Sequence, residues 1–428
     1  MDILKKCLDR LIAEGADKAE VNLVQGKKEE LNIHSGEINL LRSMEEYNLE
    51  LTAIIDQKKD TIRINKIDDQ AIGEAVAEVI ENARKSEKDT ANDVPDGIVN
   101  KHFADQKTGV DIAHMHFRLK EFIGDVRKHY EYVVVEEAIL DHVDSNRFYE
   151  NSSGVSLSST SDQYNFVVMF FAKKGKQTSS FNYTGQSAKD LKHPLLEVGS
   201  LKILLKEAIE HLEPQVIPEK KFTSQVIVTP DCLCEIFSFL LAHLSNQYLI
   251  SGVSQFKDKI GEQVVDTKLT LKTEPHSAEL AVKNYFGSDG FIQRNDHIIQ
   301  DGILKNYLLN YYGALKTGYA RGPSTGSNLV VEPGVESFSD MIKSTEKGII
   351  LSRFSGGMPA PNGEFSGIAK NSYYLEDGEI KYPIKETMIS GNIFNLFNNI
   401  LGISKERINN GESLMPYIKF DQALVSSK

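Results

Sequence analysis

Cysteine is scarce: Cys7, Cys232 and Cys234 are the three in 428 residues. So odd and sparse a set excludes a disulfide framework. Long hydrophobic runs are missing too. Stretches such as NFVVMFFA, Asn165 to Ala172, fall far short of the ~20 apolar residues that cross a bilayer. The first residues, MDILKKCLDRLIAEG, read as an amphipathic helix carrying Asp2, Asp9 and Glu14. They lack the unbroken apolar core and small-residue cleavage site of a signal peptide. A cytoplasmic protein with no membrane segment is expected. Positive charge is short as well. With 49 Lys and Arg against 61 Asp and Glu the net charge is −12, which argues against nucleic acid held on a broad basic face. The nearest basic cluster, KKGK at 173–176, falls where a strand pair should turn.

What is present is a clear two-residue period. Val21 and Leu23, Leu31 and Ile33, Leu49 with Leu51, Ala53 and Ile55, and Ile62 with Ile64 alternate as half-buried strands do. QGKK and DQKKD are expected to make the hairpin connections. Ile72, Ala75, Val76, Val79, Ile80 and Ala83 then fall on one helical stripe. This first unit spans 1–86. A polar, turn-rich stretch, 87–107, reads as a linker. A second unit, 108–215, starts with a helix near Asp111 to His129. Strands are expected around 132–142, 147–150, 164–173 and 178–184, then a helix with Leu201, Leu204, Leu205, Ala208 and Leu212 on one face. EPQVIPEKK at 213–221 marks the next boundary. The remainder, 221–428, opens with a strand and one long apolar helix. It continues as glycine-punctuated short strands and closes with a helix over Ile393–Leu401 capped by Asn392. The class is α+β: helix and antiparallel-meander units followed by a β-rich domain with one long buried helix.

Candidate chemistry concentrates in that helix, PDCLCEIFSFLLAHLSNQ, Pro230 to Gln247. Thr229 stands at the N-cap position and Pro230 at the first helical one. Cys232, Glu235, Phe239 and His243 share a stripe at about 100° per residue. Glu235 and His243 lie about 12 Å apart along the axis, whereas zinc ligands converge to ~2 Å from one point. Cys232 with Glu235 stays geometrically open as a pair, but two ligands make no site. The favoured reading is a helix buried on two sides, its cysteines packed as small hydrophobes. His114 and His116 fall on a helix and point about 200° apart, so they share no metal. His34 takes the polar phase of its strand. No G-x-S-x-G elbow or P-loop is present. What remains is glycine-rich loop: 313–334 and 353–383, suited either to surface turns or to holding an extended peptide at a strand edge.

These two segments carry a resemblance. STGSNLVVEPG (324–334) followed by SGGMPAPNGEFSGIAKNSYYLEDGEIKYPIKETMISGN (355–392) resembles the C-terminal signature of the TldD/PmbA family, historically called modulators of DNA gyrase. SQFKDKIGEQV (254–264) and GADKAEVNLVQGKKEELNIHSGEINLLRS (15–43) resemble further segments of it, in the same order. The resemblance implies a cytoplasmic metalloprotease family that acts on unfolded peptides through a pair of related subunits. The active subunit type carries HExxxH on the helix after the first C-terminal strand, and a cysteine further on. Gapless counting from SQFKDKIGEQV puts that motif at Phe237–Ala242, where both histidines and the glutamate are absent, and the cysteine near 367–369, where there is none. The chain therefore resembles the PmbA/TldE-type subunit, with no catalytic or metal residue and no cofactor of its own. Zinc is expected on a TldD-like active partner, in a heterodimer, or the chain forms a homodimer. Arg321, Ser327 and Asn328 are the expected contacts to an unfolded peptide. The alternatives are an active peptidase in its own right, or a non-enzymatic interaction protein modulating DNA gyrase.

Overall fold

The computed structural model describes residues 2–385 and 387–427. The amphipathic first helix, α1 (Asp2–Ala13), buries Leu4, Cys7, Leu8 and Leu11. There follow β1 (Lys18–His34), β2 (Glu37–Ile55), β3 (Lys58–Ile64), α2 (Asp69–Lys85), β4 (Val99–Ala104), α3 (Ile112–His129), β5 (Val133–Asn151), β6 (Val155–Lys174), β7 (Gln177–Thr178), β8 (Asn182–Ala188) and α4 (Leu201–Glu210). All these strands join one sheet, in the order β3-β2-β1-β5-β6-β4 with β7 and β8 also paired to β6. Four of them run for 17 to 20 residues, about 55–65 Å at ~3.3 Å per residue. That length serves two helical pairs. α1 and α2 cover one end through Val21, Leu23, Leu49, Val76 and Val79. α3 and α4 cover the other through Leu31, Ile33, Phe122, Phe166 and Leu205. On β1 both sets carry odd numbers, so both pairs sit on one face of the sheet.

Several local readings change. QGKK lies within β1, and the chain turns instead at Ser35–Gly36, both at positive φ (50° and 79°). DQKKD does turn, at Asp56 and Gln57 (φ 49° and 63°), the geometry that suits the twist of a tight hairpin. The strands expected at 132–142 and 147–150 are one strand, β5. The stretch read as a linker, 87–107, contributes β4, paired parallel to β6. Its side chains are mostly exposed, so no apolar alternation marks it in the sequence. The two units read as separate share this one sheet through β1 and β5.

The C-terminal region adds β9 (Lys221–Val228), α5 (Pro230–Ala242), α6 (Asn246–Ile250), β10 (Leu271–Thr273), β11 (Asp296–Gln300), β12 (Ile303–Leu304), α7 (Tyr311–Thr317), β13 (Leu329–Val331), α8 (Phe338–Lys343) and β14 (Lys347–Leu351). Then come β15 (Arg353–Gly356), β16 (Glu364–Lys370), β17 (Tyr373–Glu376), β18 (Glu379–Pro383), β19 (Thr387–Asn392), α9 (Ile393–Asn398), β20 (Ile400–Asn409) and β21 (Leu414–Ser427). They build a second sheet along β12-β11-β10-β13-β21-β9-β14-β17-β18, with β20 paired to β21 and a branch running from β21 through β19 and β16 to β15. Alternation on its central strands separates two faces. Val226, Val228, Ile349 and Leu351 pack under α5 and α9. Ile227, Ile350, Tyr373 and Tyr417 pack on the other side with Met341 of α8.

The fold is α+β, as expected. Asn392 caps α9, its Oδ1 accepting from Phe394 N at 3.0 Å and Asn395 N at 3.3 Å. The helix stops earlier than expected, at Asn398. Asn399 leaves the helical region (φ −125°, ψ 55°), and Ile400 and Leu401 start β20.

Candidate functional site

α5 is the element around which any site must be built. Thr229 takes the N-cap backbone conformation (φ −74°, ψ 157°), yet its Oγ1 donates to Ser352 O at 3.4 Å instead of capping the helix. Pro230 opens the first turn, where its missing N–H costs nothing. The helix then sinks into the larger core. Phe237 is fully buried with its ring centroid 5.1 Å from that of Phe397, and Phe239 meets Phe354 edge-on at 5.9 Å. Leu240 and Leu241 are buried beside them. Positions 237–242 are therefore occupied largely by packed hydrocarbon.

The polar residues of the helix do not converge either. Cys232 is buried, and burial drives its thiol pKa well up. Cys234 is raised for the same reason and lies 3.5 Å from Ser413 Oγ. His243 sits among the rings of Tyr248 (4.6 Å), Phe394 (4.9 Å) and Phe256 (6.1 Å). Its Nδ1 accepts a hydrogen bond from Gln255 N at 3.2 Å, and burial lowers its pKa to about 4. It is a neutral core histidine. Further along, Gly367 is closed in by the Phe354 ring, Ile368 is exposed and Ala369 is buried. None of these offers a ligand. Among the described residues no three His, Cys, Asp or Glu side chains are grouped to hold a metal ion. The donor set around α5 does not fit zinc.

What α5 does present is a rim. Glu235 and Ser238 lie on its more open side, Ser238 Oγ bonding back to Glu235 O at 2.6 Å. Burial raises the Glu235 carboxyl, and the Arg353 charge opposes that. Arg353 begins β15. Its guanidinium lies 4.6 Å from the ring centroid of Phe181 and 4.6 Å from that of Tyr183, and donates to Phe181 O at 3.1 Å. Both rings remain about half exposed. β15 pairs with β16 on one side, and among the described residues no strand pairs with its other edge. Met358, in the loop beyond it, is exposed. A free strand edge flanked by a cation, two aromatic faces and a carboxyl can accept an extended chain through its backbone.

The three sequence candidates sit elsewhere, and all turn inward. Arg321 grips Asp289 with two bonds, Nε–Oδ2 at 2.8 Å and Nη2–Oδ1 at 3.0 Å, and stacks 4.7 Å from the Phe291 centroid. Ser327 Oγ donates to Gln293 Oε1 at 3.2 Å. Asn328, at φ 52°, accepts from Asn284 Nδ2 at 2.7 Å and donates to Val282 O at 2.8 Å. All three bind the same 282–293 excursion to the loop after α7, so their polar groups are spent inside the protein. Arg353, Phe181 and Tyr183 were not legible as a group. Arg353 does open the second glycine-rich segment, but its partners come from the first sheet, more than 150 residues earlier.

Comparison with known proteins fits this architecture. Residues 221–427 match the PmbA/TldA metallopeptidase C-terminal domain. The chain is 26% identical over 283 residues to the metalloprotease PmbA of Escherichia coli O157:H7, covering 64% of this chain and 62% of that one. It is 28% identical over 261 residues to a metalloprotease PmbA homologue of Buchnera aphidicola, covering 60% and 57%. With a zinc metalloprotease TldD homologue of Saccharolobus solfataricus it shares 26% over 224 residues, covering 47% and 50%. The chain thus spans about six tenths of the length of the PmbA relatives it matches. Among solved structures, TldE from Thermococcus kodakarensis superposes with a TM-score of 0.84 at 18% identity, over 99% of this chain and 100% of that one. A candidate modulator of DNA gyrase from Bacteroides thetaiotaomicron gives 0.88 at 20% identity, over 100% and 98%. At that identity the likeness speaks for the fold. Over residues 221–427 the chain is similar to the C-terminal domain of the PmbA/TldD family.

Proposed function

We propose that the chain is the PmbA/TldE-type subunit of a cytoplasmic TldD/PmbA metalloprotease, holding unfolded peptides while carrying no zinc of its own. The observation that supports this most is α5. The stretch where the resemblance puts HExxxH is Phe237–Ala242, and its large side chains are packed into the core against Phe397 and Phe354. The free edge of β15, with Arg353, Phe181 and Tyr183 beside it, supports a peptide-holding role. On this reading a TldD-like subunit, named in one relative as a zinc metalloprotease, completes the enzyme as a heterodimer. Its zinc would polarise the scissile carbonyl and activate water. This chain's residues would align the substrate backbone and enclose it. A homodimer remains the assembly when no such partner is made.

The experiment is to purify the chain alone and with a TldD-like protein of the same genome. Metal content and cleavage of an unfolded peptide are then measured for each. The expected result is stoichiometric zinc and cleavage for the pair, and neither for the single chain. Zinc and cleavage by the chain alone would instead support the second reading, an active peptidase, which the metalloprotease name of the E. coli relative favours. Absence of cleavage in both preparations would sink both protease readings.

A further inference from the structure

A cavity of about 410 Å³ opens between α4 and the C-terminal sheet, on the face opposite α5. Its walls include Glu207 and Glu210 of α4, Phe338 of α8, Tyr373 of β17, Tyr382 of β18 and Tyr417 of β21. Phe338 and Tyr417 stack with centroids 4.0 Å apart. The charges at its rim are mostly committed. Lys206 reaches Glu210 at 3.5 Å, Lys381 reaches Glu379 at 2.9 Å, and Tyr373 Oη donates to Glu210 Oε2 at 2.6 Å. Asp231, at the start of α5, accepts from Ser200 Oγ at 2.6 Å and Thr184 Oγ1 at 3.3 Å.

Glu207 is the exception. Its residue surface is partly open, but Oε2 is sealed from solvent, and among the described residues nothing hydrogen-bonds it. Burial first, then the Asp231 and Glu210 carboxylates, push its pKa up to about 8. A buried oxygen without a partner is costly, and an acid held there waits for a compensating charge. Aromatic faces around an unpaired carboxyl are what an organic cation requires: π surfaces for the alkylammonium and one counter-ion. A bare metal ion would find one carboxylate and phenols, too few oxygens. An anion would meet two carboxyls.

We propose that this cavity is a binding site for a small organic ammonium ion, with Glu207 as its counter-ion and Phe338, Tyr373 and Tyr417 as its aromatic wall. It is separate from the peptide edge at β15 and does not depend on that reading. Two sources share this chemistry, free amines and lysine side chains.

The test is calorimetric titration of the full chain with n-butylammonium, with N-acetyl-lysine methylamide, and with n-butanol as the uncharged control. Binding of butylammonium in the millimolar range or tighter, and at least tenfold weaker binding of butanol, is expected. If the lysine derivative binds as well as butylammonium, a peptide side chain is the source. If butylammonium alone binds, the site takes free amines. Glu207→Gln and, independently, Tyr417→Leu should each weaken butylammonium at least fivefold. Because the cation displaces the Glu207 proton, affinity should rise nearly tenfold from pH 6 to 7 and level off above pH 8. The other titratable groups lining the cavity are Lys206 and Glu210 on the helix of Glu207 and Tyr373, Lys381, Tyr382 and Tyr417 across from it, with Asp231 near enough to raise the Glu207 pKa and His211 just past the helix end. Burial lowers the His211 pKa and raises those of the Tyr373 and Tyr417 phenols, each away from its charged form. Equal binding of butanol, unchanged affinity in both variants, or no binding at tens of millimolar would overturn the proposal.

Discussion

Arg353 opens β15 and Phe181 lies just before β8 of the other sheet, yet the guanidinium of one lies 4.6 Å from the ring centroid of the other and donates to its carbonyl at 3.1 Å. The contact ties β15 to the strand region before β8 and leaves the outer ring faces open. If an extended peptide pairs with β15, it meets this clamp. Arg353→Ala removes a cation–π contact and a donor, together about 1–2 kcal/mol. A peptide lying against the clamp would lose its cation and the preorganised ring faces, and affinity of the chain with its partner should fall about tenfold. Fluorescence anisotropy with a labelled unfolded peptide reads the loss, and a thermal melt reads the fold. Unchanged affinity in a folded variant removes β15 as the docking edge.

Arg321 is expected to matter for stability more than for substrate. It and Asp289 are each only 11% exposed at the side chain, and the pair is bidentate. Arg321→Ala leaves the Asp289 carboxylate buried without its cation, a loss of about 3–5 kcal/mol. The double variant Arg321→Ala, Asp289→Ala should cost clearly less than the two single losses added. Urea unfolding of the four proteins gives the coupling. If the effects simply add, the pair is not a structural lock.

How far the sequence could be read follows from what each signal depends on. The 3.6-residue stripes of α2, α3 and α4 were legible because each helix has one apolar face and one partner layer. Asp111 caps α3 through His114 N at 2.9 Å, close to where the pattern begins. β4 was not legible, because an edge strand with exposed side chains carries no alternation. Nor was the continuity of β1 through QGKK, where Gly26 and two lysines look like a turn but pair with Glu46, Glu45 and Met44 across β2. At the site, the lack of ligands at 237–242 could be read from residue type, and the spread of Cys232, Glu235 and His243 along α5 from helical spacing. The Arg353 clamp and the Glu207 cavity could not, since each is assembled by tertiary contacts between distant segments.

The glycines of 313–334 separate into two kinds. Gly334 is not at positive φ, but a Cβ there would overlap the Ile403 carbonyl, and Gly334 N donates to Ser404 O at 3.0 Å, so neither strand can retreat. Gly318 ends α7 at φ 78° with open space around it. Gly334→Ala should cost about 3 kcal/mol or abolish soluble expression. Gly318→Ala should cost about 1 kcal/mol, the strain of a left-handed alanine. Equal costs in urea unfolding would contradict the close-approach account.

His243 supplies the pH dependence that can be worked through from burial. Desolvation lowers its pKa from 6.5 to about 4 in the folded chain. The unfolded chain binds the proton as pH falls through 6.5, and the folded chain does so only near 4. Stability from this group is thus complete above pH 6.5, and acid removes it progressively down to about pH 4. Between pH 7 and 5 the loss is about 2 kcal/mol. His243→Asn keeps an acceptor toward Gln255 N but cannot titrate. The variant should be less stable than the parent at pH 7, because it fills the Tyr248, Phe256 and Phe394 pocket poorly. The gap should shrink by about 2 kcal/mol at pH 5, since only the parent suffers the protonation penalty. Urea unfolding of both proteins at pH 7, 6 and 5 measures it. A gap that stays constant with pH would mean the imidazole is not held neutral by burial.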